Sequence, residues 1–308
     1  MQVKNNPRMD SKSRKITWFL LKLVISAACI FYLITSLKER GIDPKVVELP
    51  AFFTIVIVVE LALMVLNWCL EVKRWQLSVS SYEKISNKQA GIEVLAGVAL
   101  NLVVPFTIGD FLARILNKKD MYKTTGAIVF NRLIMLGITL FVGYLGLVQF
   151  ADPSLNSNYW FLGLFVLLLP VFVRHKFGRR IFSYFKETSI SLLLKVLLLS
   201  IGRYSVYFVQ FILLIWIFNP MLDLDVISGG VGWIFFFRTA IPSLFGGLGL
   251  REASALVYFQ NIVPDITLIL VPVILIWLIN TFIPSLIGSI LVWKLRSEYY
   301  SSSKDFSL

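Results

Sequence analysis

Six stretches of the sequence are long and apolar enough to cross a lipid bilayer: about residues 16–37, 49–70, 124–148, 157–173, 190–218 and 266–293. A helix needs roughly 20 residues to cross the hydrocarbon layer. Inside that layer every backbone N–H and C=O must be bonded within the protein. The chain therefore reads as an all-α polytopic membrane protein. Composition agrees: 57% of residues are hydrophobic, 16% are charged and the mean hydropathy is +0.77. A soluble domain carries about 45–50% apolar and about 25% charged residues. A soluble globular protein and a disordered chain are both excluded.

The net charge of +12 would point to nucleic acid in a soluble protein. In a membrane protein it points to loops held against anionic lipid on the cytoplasmic side, so no nucleic-acid partner is expected. The basic N-terminus followed by residues 16–37 resembles a signal peptide, but the apolar run is too long and has no small-residue cleavage site. It reads as a retained span.

Cysteine and histidine limit the chemistry. Cys29 and Cys69 both lie in long apolar runs, and His175 is the sole histidine. They make neither a disulfide framework nor a typical transition-metal site. A His-dependent triad would have to use His175, with no Gly-x-Ser-x-Gly elbow to accompany it. No Walker A motif is present. We therefore expect no catalytic residue, no metal and no cofactor, and a chain that is not an enzyme.

Two further apolar stretches, about 90–108 and 226–245, are broken by proline and glycine and followed by a polar helix start. The first runs Asn101-Leu-Val-Val-Pro105-Phe-Thr-Ile-Gly109-Asp110-Phe-Leu-Ala-Arg114, and the second Ile241-Pro242-Ser-Leu-Phe-Gly246-Gly247-Leu-Gly249-Leu-Arg251-Glu252. Proline precedes glycine by four residues and arginine by nine in both. Corresponding broken segments in two halves mark a transporter-like core.

Positive charge tests whether these stretches cross. With the N-terminus inside and both stretches turning back, the inside holds 21 Lys and Arg and the outside 4. If all eight segments span, the split becomes 12 against 13. The positive-inside rule prefers the first arrangement. Letting only the second stretch span gives 19 against 6, so the re-entrance of that stretch rests on the repeat. The expected architecture is one transmembrane domain over 1–308, built of inverted repeats at about 16–148 and 157–293. Each half has two spans, a re-entrant hairpin and a third span, with both termini cytoplasmic in the cell membrane. Broken backbone at membrane depth must be buried by protein or line a cavity, so a polar cavity near the midplane follows.

Lys22, Arg132, Lys195, Arg203 and Arg238 fall within or at the edge of these segments, and Glu60 sits mid-span. Each costs about 2.5–3.5 kcal/mol at the bilayer centre if it faces lipid, so they should face the bundle. Glu60, Asn67 and Glu71 share one helix face. Glu60 either pairs structurally with Arg132, Arg203 or Arg238, or serves the cavity. Lys22 and Lys195 read as snorkelling residues, and Arg203 and Arg238 as cavity charges. Lys73-Arg74-Trp75 reads as the cytoplasmic end of a span.

After each break a helix is expected to start, near Asp110 and near Leu250. Free N–H groups and the positive dipole end would then point toward the midplane. Arg114 and Arg251 sit one turn in. A guanidinium can donate two parallel hydrogen bonds to phosphate oxygens, and Gly246, Gly247 and Gly249 let backbone approach a ligand. The competing structural account has Asp110 as a helix cap, Arg114 as a positive-inside anchor and Glu252 as the partner of Arg251.

Phe245-Gly-Gly-Leu-Gly-Leu-Arg-Glu-Ala-Ser-Ala-Leu256 resembles the Gly-(Leu/Ile)-Gly-x-Arg-Glu motif of the lysylphosphatidylglycerol synthase transmembrane-region family, also called flippase-like. Asn101 to Lys118 resembles that family's first motif, and Lys73-Arg74-Trp75 resembles its basic-Trp element. The resemblance covers nearly the whole chain. It implies a domain that moves, or helps move, a lipid with a phosphate headgroup between leaflets. In multiple-peptide-resistance members a soluble aminoacyl-transferase domain follows. Here about 15 residues follow the last span, so lipid aminoacylation is not expected.

Two functions remain open at this point. One is a lipid translocator for an aminoacylated phosphatidylglycerol or a polyprenyl-phosphate-linked lipid, its headgroup held by Arg114, Arg251 and nearby N–H groups. The other is a non-transporting membrane subunit or enzyme of lipid or glycan biosynthesis, partnered with a synthesis enzyme.

Overall fold

The computed structural model describes residues 49–50, 52–103, 108–115, 118, 120–150, 184, 188–241 and 247–292, together with 31, 34, 35 and 38. The regular elements among them are all helices. Four are long and apolar enough to cross a membrane: α1 (Phe53–Val79), α4 (Met121–Phe150), α5 (Ile190–Phe218) and α8 (Thr267–Val292). The expected spans at 16–37 and 157–173 lie outside the described residues, apart from helical positions 31, 34 and 35. The remaining elements are α2 (Asn87–Val103), α3 (Ile108–Ile115), α6 (Leu224–Ala240) and α7 (Leu250–Phe259).

The burial pattern of α1 inverts that of a soluble helix. Glu60, Asn67, Glu71, Arg74 and Ser78 are buried, while Ile55, Val58, Val65 and Leu66 are exposed. In water this arrangement would expose apolar area and bury charge. In lipid it is the stable one, because hydrocarbon solvates the outer face and the protein interior supplies partners for polar groups. The chain is a membrane protein on this ground as well as on helix length. The free Cys69 thiol lies on the exposed face.

α1 and α5 form an antiparallel central pair. Phe53 meets Phe218 edge to face with centroids 5.9 Å apart. The Gln210 amide donates to the Glu60 carbonyl at 2.9 Å, Arg203 Nε donates to Asn67 Oδ1 at 3.1 Å, and Arg74 donates to Ser200 Oγ at 3.2 Å. The end holding Val79 and Ile190 carries Lys84, Lys88, Lys118 and Lys123, and we call it the basic end. The end holding Phe53 and Phe218 carries Asp223, Asp225 and Asp265, and is the acidic end.

Both broken segments are helix hairpins, and they open at opposite ends. In the first, Asn101 Oδ1 of α2 accepts from the Asp110 N–H of α3 at 2.9 Å. A Cβ on Gly97 would stand 2.6 Å from Asp110 Oδ1, so glycine permits this close packing. Lys118 then reaches Glu93 at 2.8 Å and Glu83 at 3.8 Å, and the Tyr82 hydroxyl meets Thr124 Oγ1 at 3.1 Å. The chain thus leaves the hairpin at the basic end where it entered. In the second, Trp233 Nε1 donates to the Ser254 carbonyl at 3.0 Å, folding α7 back along α6. The Asn219 amide donates to the Leu268 carbonyl at 2.8 Å, which closes this hairpin at the acidic end. The helix start at Leu250 falls where it is expected, and Ile108 to Ile115 are helical around Asp110.

Each hairpin is covered by a long helix from the other half of the sequence. α4 lies on α6, with Gly143 against Phe236, and α8 lies on α2, with Gly288 against Leu95 and Ala99. Small residues let helix backbones approach where no hydrophobic force separates protein from lipid. α8 also contains a π turn, Leu278–Phe282. Pro284 has no N–H for the carbonyl four residues back, which accounts for the widened turn. Two apolar cores result. One gathers Phe211, Ile227, Ile234, Leu256, Phe259 and Val273 around the second hairpin. The other gathers Trp75, Val94, Ile128, Phe130, Tyr184 and Val196 around the first. Tyr184 pins the segment before α5 by donating to the Ser78 carbonyl at 2.5 Å, and burial pushes its phenol up to about 12.

The Gly143 contact is directly testable. A Cβ there would fall 2.6 Å from Phe236 Cβ, whereas one on Gly137 meets nothing within 4 Å. Gly143→Leu is expected to cost about 1–3 kcal/mol by overpacking and lower Tm in detergent. Gly137→Leu on the same helix should leave Tm unchanged.

Candidate functional site

The i, i+3, i+4 spacing of Glu71, Arg74 and Trp75 places all three on the buried face of α1. Glu71 is the hub of an ion network there. Its carboxylate contacts Arg74 Nη2 at 2.5 Å, Arg114 Nη2 at 2.9 Å and Arg203 Nη1 at 3.1 Å. These partners come from α1, α3 and α5, so one carboxylate ties the first hairpin to the central helix pair. Arg114 is held a second time, its Nε on Asp110 Oδ1 at 2.7 Å, one turn away on α3. Asp110 Oδ2 also meets Arg132 of α4 at 3.3 Å. The Arg114 guanidinium lies 4.6 Å from the Trp75 ring centroid, and Arg203 lies 5.4 Å from that of Trp68. Both geometries are cation–π contacts. Trp75 is fully buried and donates to Glu93 Oε2 at 2.7 Å.

The network holds four guanidiniums, Arg74, Arg114, Arg132 and Arg203, against two carboxylates, Glu71 and Asp110. Among the described residues this is an excess of two positive charges. Arg74 and Arg114 are almost wholly enclosed, but the Arg203 side chain is 22% exposed and that of Arg132 45%. The surplus therefore faces outward from a neutralised interior. A planar guanidinium exposed in this way suits phosphate oxygens.

A second group of cations lies at the second hairpin. Gly247 and Gly249 have φ of +90° and +85°, the left-handed region that favours glycine. A Cβ on Gly247 would lie 3.4 Å from Arg251 Nε and 3.5 Å from Arg238 Nε, so two guanidiniums flank one glycine. Arg251 is fully buried. Arg238 Nη1 points at the Tyr207 hydroxyl, 3.5 Å away, and its guanidinium stands 5.8 Å from that ring's centroid. Glu252 accepts from the Gly249 N–H at 2.6 Å. This is half of a capping box, glycine having no side chain to complete it.

The two groups meet on α5. Arg203 belongs to the first and Tyr207 contacts the second, and they are one turn apart near the middle of the 29-residue helix.

Arg114, Asp110, Arg132 and Arg203 are thus brought together, and so are Arg251, Arg238, Glu252, Gly247 and Gly249. Gly246, Pro105, Pro242 and Lys22 lie outside the described residues. Glu60 faces the interior as expected, but none of Arg132, Arg203 and Arg238 is paired with it among the described residues. Arg203 is held by Glu71 and Asn67, Arg132 contacts Asp110, and Arg238 faces Tyr207. Lys195 is exposed, in keeping with a snorkelling residue. The sequence reading passed over the central role of Glu71, Arg74 and Trp75. Their helical spacing relative to Glu60 and Asn67 was the available signal, but partners 43 and 132 residues away had no local trace.

Removing one partner of a buried ion network costs about 3–5 kcal/mol, because the others are left uncompensated. Glu71→Gln is expected to lower Tm sharply in detergent. Arg132→Gln, at the exposed rim, should change Tm little.

A model of the family described as Lysylphosphatidylglycerol synthase TM region matches residues 19–288. No curated protein and no solved structure matches the chain.

Proposed function

The chain belongs to the Lysylphosphatidylglycerol synthase TM region family, a membership that points to lipid handling, and on that premise we propose that it translocates a lipid with a phosphate headgroup between leaflets. The observation that carries this is the meeting of two arginine groups at the middle of α5, one with four guanidiniums against two carboxylates among the described residues. A phosphodiester between them would neutralise the surplus and accept paired hydrogen bonds. Arg203 and Arg132 would receive it on one side, and Arg238 and Arg251 on the other. Glu71 and Asp110 hold Arg114, and Glu252 holds the turn at Gly249, so these carboxylates position the cations. An aminoacylated phosphatidylglycerol or a polyprenyl-phosphate-linked lipid has the required headgroup.

In this proposal the two halves are inverted repeats, and the spans at 16–37 and 157–173 bring the total to six. The basic end is cytoplasmic, with both termini on that side of the cell membrane. Hairpins opening at opposite ends, each covered by a helix of the other half, support an alternating-access motion in which the halves rock about α1 and α5. The protein does no covalent chemistry itself. A lipid- or glycan-synthesis enzyme would supply or consume its cargo.

Two measurements test this proposal. Single cysteines replacing the exposed Lys84 and Asp265 should label from opposite sides of sealed vesicles, and labelling from one side would end the inverted topology. For the site, Arg251→Lys keeps charge but loses the planar fork. Purified Arg251→Lys should retain less co-purified phospholipid and move fluorescent phosphatidylglycerol more slowly in liposomes, with Arg251→Gln slower still. Full lipid retention and full transport by a stable Arg251→Gln protein would rule out the headgroup role.

A further inference from the structure

One buried ionisable group takes no part in either arginine network. Glu60 is 0% exposed, and both of its carboxyl oxygens lack a hydrogen-bond partner. The other deeply placed carboxylates are engaged: Glu71 and Asp110 by arginines, Glu93 by Trp75 and Lys118, and Glu252 by a backbone N–H. Opposite Glu60 stands Gln210, whose amide nitrogen is spent on the Glu60 carbonyl and whose own oxygen is also without a donor. A carboxyl enclosed without partners costs less to bury neutral than ionised.

Among the described residues, the charged groups on the elements packed against α1 stand away from Glu60. On α5, Tyr207 faces Arg238, the Tyr204 ring is packed on Phe208 and Phe235, Arg203 is seven residues from Gln210, and Lys195 is exposed beyond it. Seven residues are about 10 Å along a helix axis. α8 has no ionisable side chain. α2 contributes Lys88 near its start and Glu93 at the level of Trp75, and α4 meets α1 near Ser78, which contacts Asn131, with Arg132 next to it and Lys123 about two turns away. On α1 itself Glu71 is eleven residues away. A polar track nonetheless leads from this face to the arginines. Asn67 lies seven residues beyond Glu60, accepts from Arg203 and donates to Asn280 in the π turn of α8 at 3.2 Å.

We propose that Glu60 is a proton-binding site that couples movement of the anionic lipid to movement of a proton in the same direction. The coupling is electrostatic. With the headgroup site empty, the surplus cations, Arg203 nearest, favour the Glu60 carboxylate. A phosphate on Arg203 cancels that field, and the carboxyl takes a proton from water on the side facing the open cavity. On the other side the headgroup departs, the O–H bond breaks and the proton passes to water. Nothing is oxidised or reduced. Linkage makes the effect reciprocal, so protonation raises affinity for the anion. The coupling rests on the translocator proposal, whereas the proton site stands on the burial of Glu60 alone.

The two parts are tested separately. Infrared spectra of lipid-loaded protein in an ester-free detergent, after subtraction of the free lipid's spectrum, should contain a protonated-carboxyl C=O band. Glu60→Gln should remove that band and Glu60→Asp should keep it, with Tm recorded for both variants. If no band is lost in a folded Glu60→Gln protein, Glu60 is not a proton site. In phosphatidylcholine vesicles carrying fluorescent phosphatidylglycerol, a one-unit pH gradient should drive about tenfold enrichment in the leaflet facing the alkaline side, for one proton per lipid. Glu60→Gln should show no enrichment. Equal leaflet populations in the wild type, with lipid still moving, would overturn the coupling. If wild-type protein moves no lipid at all, the translocator proposal fails and takes the coupling with it, while the infrared result still decides the proton site.

Discussion

The carboxylate of Glu71 is the interaction on which the described architecture depends. It gathers Arg74, Arg114 and Arg203 from three helices in a place where none of the three could stand alone. Buried ion networks give no clear net gain over apolar packing, but losing one member leaves charge stranded. Their value lies in specificity. The arrangement that brings α3 to Glu71 joins it to α1 through Arg114, alongside the apolar contacts of Phe111 and Ile115. Trp75 adds a flat surface beneath Arg114 and links the cluster to Glu93 and Lys118 at the hairpin mouth.

That network also explains why polar residues line the central helix pair. A glutamate, two arginines or an asparagine facing lipid would each oppose insertion. Along the α1–α5 seam they meet one another instead, from Gln210 at Glu60 through Arg203 at Asn67 to Arg74 at Ser200. The seam runs between the two hairpins, which approach from opposite ends. Polar side chains, left-handed glycines and a proline-linked π turn thus collect around the middle of the molecule. Broken backbone is tolerated there because protein surrounds it.

The two arginine groups differ in a way that bears on their roles. At the first hairpin, carboxylates neutralise the inner guanidiniums and leave Arg203 and Arg132 presented at the edge. At the second, two guanidiniums share the space around a single glycine, and the nearby Glu252 is committed to the helix start. The spacing from proline to arginine is nonetheless the same in both segments. The offset fixes where the arginine sits along each segment and leaves its counter-ions free to vary.

The sequence by itself determined the membrane setting, the helical class, the two broken segments and the four long helices. Apolar length, Pro and Gly interruption and helix starts are local properties, and hydrocarbon permits few alternatives. It also determined which residues deserved attention, because an arginine or glutamate in an apolar run has to be explained. The partners of those residues were decided only by tertiary structure. Glu60 and Glu71 have the same chemistry on the same helix face, yet Glu71 meets three arginines and Glu60 meets a glutamine. Arg74 and Trp75 read as the end of a span, and became the centre of a network once α3 and α5 packed against them. A charge pair between residues 132 positions apart leaves no periodic mark in the chain. It exists only where folding has brought two helices side by side.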